Sequence, residues 1–160
     1  MTIRVENNFI ENNFFWNLVN TITNNNFPWY IEGEHNDLVH NLIYEPDLKK
    51  ENSFYANKIL NPIIEKLNPK NIVSAKITLN YSSPKKEETL PSEENIDLSN
   101  KSFKGFLCMN TNNSEMDIVG VDKISLIENR FISFPKNNSH STSTHTDTRC
   151  RMIVEFIYDI

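Results

Sequence analysis

Glycine is nearly absent, with three in 160 residues, at positions 33, 105 and 120. Three isolated glycines build neither a GxGxxG turn nor a Walker loop, so phosphate cradling by a glycine-rich loop is excluded. Cysteine is scarcer still. Cys108 and Cys150 each sit in an apolar run, which predicts reduced, buried thiols rather than a disulfide framework. Apolar neighbours raise a thiol's pKa, so neither is read as a nucleophile. Positive charge is also short: 16 Lys and Arg against 21 Asp and Glu leave a net charge of −5. That balance argues against a nucleic-acid binder working through a basic surface. The one basic pair of note, Lys85–Lys86, is followed at once by Glu87 and Glu88. No apolar run approaches the roughly 18 residues of a membrane span. The opening MTIRVENN has no apolar core of the kind a secretion signal needs. A cytoplasmic protein with no membrane partner is expected.

What the chain has in excess is asparagine, at 25 positions. Doublets and triplets at 7–8, 12–13, 24–26, 112–113 and 137–138 read as Asn-rich loops and as drift in an AT-rich genome. Between them the apolar pattern is clear. Phe14, Phe15, Leu18, Val19 and Ile22 fall at helical spacing over 11–23. Trp16, Trp29 and Tyr30 are expected to pack in the core. Residues 38–44 read as a strand. Ser53 is a candidate N-cap for a helix through Leu67, with Pro62 expected to kink it. Short strands are predicted at 72–81, 96–98, 105–109, 116–121 with 124–126, 131–134 and 150–158. Segment 82–94 has two prolines and no apolar periodicity, and is expected to be a long mobile loop of the kind that forms lids. Helices first and strands after predict an α+β fold, helices packed on one face of an antiparallel sandwich or small barrel. One domain over 1–160 suits this length, with helical support over about 9–67 and the barrel over about 72–159.

The densest chemistry lies between Asn129 and Tyr158, where two strand-like runs flank a polar loop holding His140, His145, Asp147 and Arg149. A non-haem iron(II) site needs two imidazoles and a carboxylate on one face of the metal. In a barrel the first two come as His-x-Asp at a strand end, since residues two apart share a face. Here Asp97 is followed by His140, 43 positions on, and then by Arg151.

On FPWY at 27–30, AKITLNY at 75–81, NIDLS at 95–99, GFLCMNTNNSE at 105–115, ENRFISFPKNNSH at 128–140 and THTDTRCRMIVEF at 144–156, the chain resembles a small 2-oxoglutarate/Fe(II) dioxygenase. The type is the prolyl-hydroxylase-like one met as short proteins in phages and marine bacteria. The resemblance spans nearly the whole chain and is specific in its C-terminal half. It implies a double-stranded β-helix that hydroxylates a C–H bond of a peptide or small molecule, located in host cytoplasm or virion if phage-encoded. By the same resemblance Asp97 is the carboxylate ligand of Fe(II) and His140 the distal imidazole. Arg151 binds the far carboxylate of 2-oxoglutarate, a role for which the guanidinium fork is suited. Arg149 is the alternative to Arg151, and Tyr81 or Asn80 is placed as a further polar contact to the co-substrate.

The chain departs from the family pattern at two points. Asn95 stands where the first metal-binding histidine belongs, and an amide oxygen is a far weaker ligand than an imidazole. Thr142 stands where a glycine is usual. Either the protein holds metal through Asp97, His140, a substitute and water, or it is a catalytically degenerate β-helix with a binding or virion-associated role. A cupin-like metalloprotein working without 2-oxoglutarate is a third reading, and it predicts that Arg151→Ala leaves activity intact. Asp97 as a turn carboxylate and Arg151 as a strand-edge arginine are the plain alternatives. Substitutes for position 95 are unpromising: His145 reads as a solvated hairpin histidine, His35 and His40 as surface or partly buried ones, and Glu94 as facing the wrong way. A Ser-His-Asp arrangement of the STSTHTDT loop with His140 and Asp147 lacks an elbow and an oxyanion hole.

Overall fold

The computed structural model describes residues 3–32, 37–43, 53–89 and 102–160. In chain order the elements are β1 (Arg4–Glu6), α1 (Asn12–Ile22), β2 (Tyr30–Glu32), β3 (Asp37–Ile43), α2 (Ser53–Leu67), β4 (Asn71–Tyr81), β5 (Ser102–Cys108), β6 (Glu115–Ile118), β7 (Ile124–Ser125), β8 (Phe131–Pro135), β9 (His140–Thr142) and β10 (Cys150–Asp159). The strands form a seven-stranded sheet in the order β1-β8-β5-β10-β4-β3-β2 and a three-stranded sheet in the order β7-β6-β9. Every pairing is antiparallel. The small sheet covers part of one face of the large sheet and the helices cover the other, giving an α+β double-stranded β-helix. Among the described residues no helix is long and apolar enough to cross a membrane.

Alternation along the strands sorts side chains between two cores. On the helix face, Phe15, Leu18 and Ile22 of α1 and Ile59 and Ile63 of α2 bury against Ile77, Leu107, Phe131, Val154 and Phe156. Rings of Phe9 and Phe131 stack at 4.3 Å, and those of Phe131 and Phe156 at 5.9 Å. Gly105 faces this stack: a Cβ there would lie 2.6 Å from the Phe156 ring, so only hydrogen fits. Between the sheets, Phe106, Cys108, Ile132, Phe134 and Ile153 meet Met116, Ile118, Ile124 and Leu126. Pro62 lies inside α2 without ending it.

Several local expectations are corrected. Phe14, Trp16 and Tyr30 are exposed, Trp16 by 48%, because the stripe of α1 facing the sheet runs through Phe15, Leu18 and Ile22 instead. Trp29 is partly buried, its ring edge-on to Phe27. The strands β1 and β9 are too short for a period-2 signal and are not among the predicted ones. Segment 82–89 is bound rather than free. Ser83 N–H donates to the His145 carbonyl, Thr144 N–H to Glu87, and Thr89 N–H to Thr142, so the segment adds itself to the outer edge of β9. The predicted strand 96–98 and positions 90–94 lie outside the described residues.

Asparagine also proves to have a structural use. Asn8, Asn68 and Asn129 are the non-glycine residues with positive φ, at 52°, 50° and 56° among the described residues. Asparagine tolerates that region better than most residues, so here it does work that glycine does elsewhere. Buried Asn129 also clasps the N-terminal segment. Its Oδ1 accepts from Ile10 N–H at 2.9 Å and its Nδ2 donates to the Ile10 carbonyl at 2.7 Å.

Candidate functional site: a buried guanidinium between the sheets

The register of β10 against its neighbours sets which groups share the space between the sheets. Arg151 lies opposite Asn80, Ile153 opposite Thr78 and Cys108, and Glu155 opposite Lys76 and Phe106. On that face β5 and β8 contribute Phe106, Cys108, Ile132 and Phe134, together with the buried Lys104. The β4 and β3 side is polar, with Lys76, Thr78 and Asn80 on β4 and Asp37 at the start of β3.

Arg151 is 8% exposed. Its Nη1 donates to the Ser143 carbonyl at 2.8 Å and its Nη2 to Asn80 Oδ1 at 3.1 Å. Asn80 is oriented in turn, since its Nδ2 donates to Asp37 Oδ1 at 2.7 Å. The Nε of Arg151 is buried with no partner. Among the described residues no carboxylate forms an ion pair with Arg151. Burial lowers its pKa, opposed by the negative charges of Glu155 and Asp37, yet a guanidinium stays charged. Glu155 is itself engaged by Thr78 Oγ1 at 3.2 Å and Lys76 at 3.8 Å. The result is a desolvated cation with a free donor and, among the described residues, no carboxylate within ion-pair distance, an arrangement that suits an anionic ligand.

His140 enters from β9, opposite Ile118, with its ring 5.3 Å from Phe106 and 5.1 Å from Phe134. It therefore faces the space between the sheets, as does Arg151. Asn95, Asp97, Glu94 and His35 lie outside the described residues. Among the described residues no three His, Cys, Asp or Glu side chains gather as a metal site. The donor set that the structure describes fits a carboxylate at Arg151. For iron it offers His140 and nothing further.

Other candidates go elsewhere. Arg149 is exposed ahead of β10, so of the two arginines only Arg151 lines the interior. Tyr81 is 65% exposed, one residue past Asn80 and on the opposite face. His40 is fully buried, not superficial: it lies on the helix face, its Nδ1 2.7 Å from the Pro28 carbonyl and its ring against Phe27 and Tyr55. His145 corrects the hairpin expectation more sharply. It is 1% exposed, because segment 82–89 closes over the loop that carries it. Asp147 stays exposed and accepts from Asn113 N–H at 3.0 Å. Asp37 and the Ser143 carbonyl had no sequence signal, since only strand register brings them to Arg151.

No protein-family model matches the sequence, and neither does any curated protein. Solved structures do match. A prolyl hydroxylase from Trichoplax adhaerens, in complex with a hypoxia inducible factor oxygen degradation domain peptide fragment, superposes with a TM-score of 0.70 at 12% identity, covering 98% of this chain and 83% of that one. An oxidoreductase of the 2OG-Fe(II) oxygenase family from Burkholderia pseudomallei gives 0.72 at 9% identity, covering 98% and 84%. The viral collagen prolyl hydroxylase of Paramecium Bursaria Chlorella virus-1 gives 0.60 at 10% identity, covering 100% and 90%. The fold is that of the 2-oxoglutarate/Fe(II) oxygenases. At such identities the likeness carries the oxygenase fold and not the activity. Within that fold, Arg151 on the last strand and His140 on β9 both look into the space between the two sheets.

Proposed function

We propose that this protein is a 2-oxoglutarate/Fe(II)-dependent oxygenase that hydroxylates a C–H bond of a peptidyl or small-molecule substrate. The observation that carries the reading is Arg151, a buried guanidinium with an unpartnered Nε and no carboxylate paired to it among the described residues. A dicarboxylate supplies the missing charge and acceptors. In this reading Arg151 takes the far carboxylate of 2-oxoglutarate, and Asn80, held by Asp37, keeps the guanidinium in place. Asp97 and His140 are the proposed metal ligands, with Asn95 at the first position. Iron and 2-oxoglutarate together supply the oxidising chemistry. The apolar wall of Phe106, Ile132, Phe134 and Ile153 keeps water from that end of the cavity. The Trichoplax relative was solved with a peptide bound, which favours a peptidyl substrate here.

Anaerobic titration with Fe(II) and 2-oxoglutarate tests the reading: a weak metal-to-ligand charge-transfer band in the visible is expected, and its absence at millimolar iron sinks it. Asn95→His is expected to tighten iron binding by about 10- to 100-fold. No change in that affinity would place position 95 away from the metal.

A further inference from the structure

His145 is buried and has no part in the reading above. Its Nε2 has no hydrogen-bond partner. The residue lies two positions beyond Ser143, whose carbonyl receives Arg151 Nη1, and the Arg151 charge acts on its ring. Among the described residues five buried side-chain nitrogens have no partner, and two of them, Arg151 Nε and His145 Nε2, belong to residues linked through the short stretch from Ser143 to His145. Burying polar atoms unpaired is costly. Their burial makes sense once a ligand brings acceptors, and a carboxylate brings two oxygens with about four acceptor sites.

We propose that His145 is the second anchor of the carboxylate held at Arg151, receiving one carboxylate oxygen while the guanidinium receives the other. The proposal rests on the oxygenase reading for the identity of the ligand, 2-oxoglutarate. In the free protein, burial first and the Arg151 charge second lower the pKa of the ring, against Asp147 and a hydrogen bond with the Thr148 backbone, both of which raise it. An arriving carboxylate offsets the guanidinium charge. The ring then takes a proton from solvent and donates it from Nε2.

The other charges near these two residues are already engaged. Asp37 on β3 holds Asn80, Glu155 on β10 is taken by Thr78 and Lys76, and Asp147 accepts from Asn113. In the covering segment, Lys86 pairs with Glu115 and Glu88 with Lys123, while Lys85 and Glu87 point to solvent. None of them competes for Nε2.

The test uses the wild-type protein, titrated with 2-oxoglutarate and, separately, with pyruvate, which lacks the far carboxylate. Long-range proton–nitrogen spectra of the imidazoles are recorded alongside. Expected is a shift of both His145 nitrogens to imidazolium positions with 2-oxoglutarate and none with pyruvate. His145→Leu is expected to weaken 2-oxoglutarate by about 10- to 100-fold, the range of a charge-assisted hydrogen bond, and His145→Gln to recover part of the loss. If 2-oxoglutarate binds, Arg151→Met abolishes binding and the His145 signals do not move, the inference is wrong and the oxygenase reading stands. If the wild type binds no 2-oxoglutarate at millimolar concentration, both fall. The wild-type spectra decide the matter even if the leucine variant does not fold.

Discussion

Along β10, Met152, Val154, Phe156 and Tyr158 turn toward the helices, while Arg151, Ile153 and Glu155 turn toward the small sheet. Of the four β10 side chains on the first face the one polar group, the Tyr158 hydroxyl, is bonded to Ser133 Oγ at 2.7 Å, and the Phe156 ring stacks on Phe131. On the second, the first residue of the series is a buried cation with a donor left over. Consecutive residues of one strand therefore serve different ends. Each face also holds a buried histidine or arginine nitrogen without a partner, His40 Nε2 on the helix side and Arg151 Nε on the inner one, but only on the inner face does that nitrogen belong to a charged group. Places where local satisfaction fails in an otherwise consistent fold are where function is expected.

Truncation gives the widest separation between the two faces. Phe131→Ala removes a ring that stacks on both Phe9 and Phe156, and is expected to cost about 3–5 kcal/mol of unfolding free energy in denaturant melts. A loss under about 1 kcal/mol would mean that this face is not the main core. Arg151→Met on the inner face is expected to behave in the opposite way. Replacing a buried, unpaired charge with an apolar side chain of similar size should leave stability unchanged or raise it by up to about 4 kcal/mol, while 2-oxoglutarate binding disappears. Marked destabilisation would show that the cation is a structural fixture.

Acid sharpens the contrast at His145. Its folded pKa lies below the ordinary 6.5, so the unfolded chain binds the extra proton first. Stability is full above pH 6.5 and declines as pH falls through the folded value. Thermal melts between pH 7.5 and 5 should show a decline that His145→Gln reduces. An identical pH profile in the variant would remove His145 from this account. The smallest effect concerns the thiols. Burial pushes Cys108 up to about 12, and it raises Cys150 as well, but Cys150 is only partly buried. Alkylation at pH 8 should therefore label Cys150 well before Cys108. Equal rates would mean that the inner face opens readily.

Much of the fold was legible because its signals are local. The helix expected over 11–23 is Asn12–Ile22, the strand expected over 72–81 is Asn71–Tyr81, and the last strand runs Cys150–Asp159. Period 3.6 and period 2 reach no further than a few neighbours. β1 and β9, three residues each, carry too few alternations to be read. The asparagine excess was legible as loops but not as left-handed turns, since φ is invisible in composition.

The site divides in the same way. Arg151 and His140 could be singled out from spacing and resemblance, because strand-end residues in a β-rich half are few. Choosing between Arg149 and Arg151 needed the start of β10: the strand begins at Cys150, so Arg149 precedes it and is exposed, and the alternation that turns Arg151 inward does not govern it. The burial of His145 needed segment 82–89 to lie along β9, a contact between residues about 60 positions apart.

By itself the sequence determined an α+β chain with a helical first part, a β-rich second part and a few ligand-like side chains, because those follow from patterning and residue chemistry. The tertiary structure decided which arginine is interior, that Asp37 and Asn80 brace it, and that His145 is enclosed beside it. Each of those depends on how distant strands come into register, and nothing within a short stretch of chain encodes that distance.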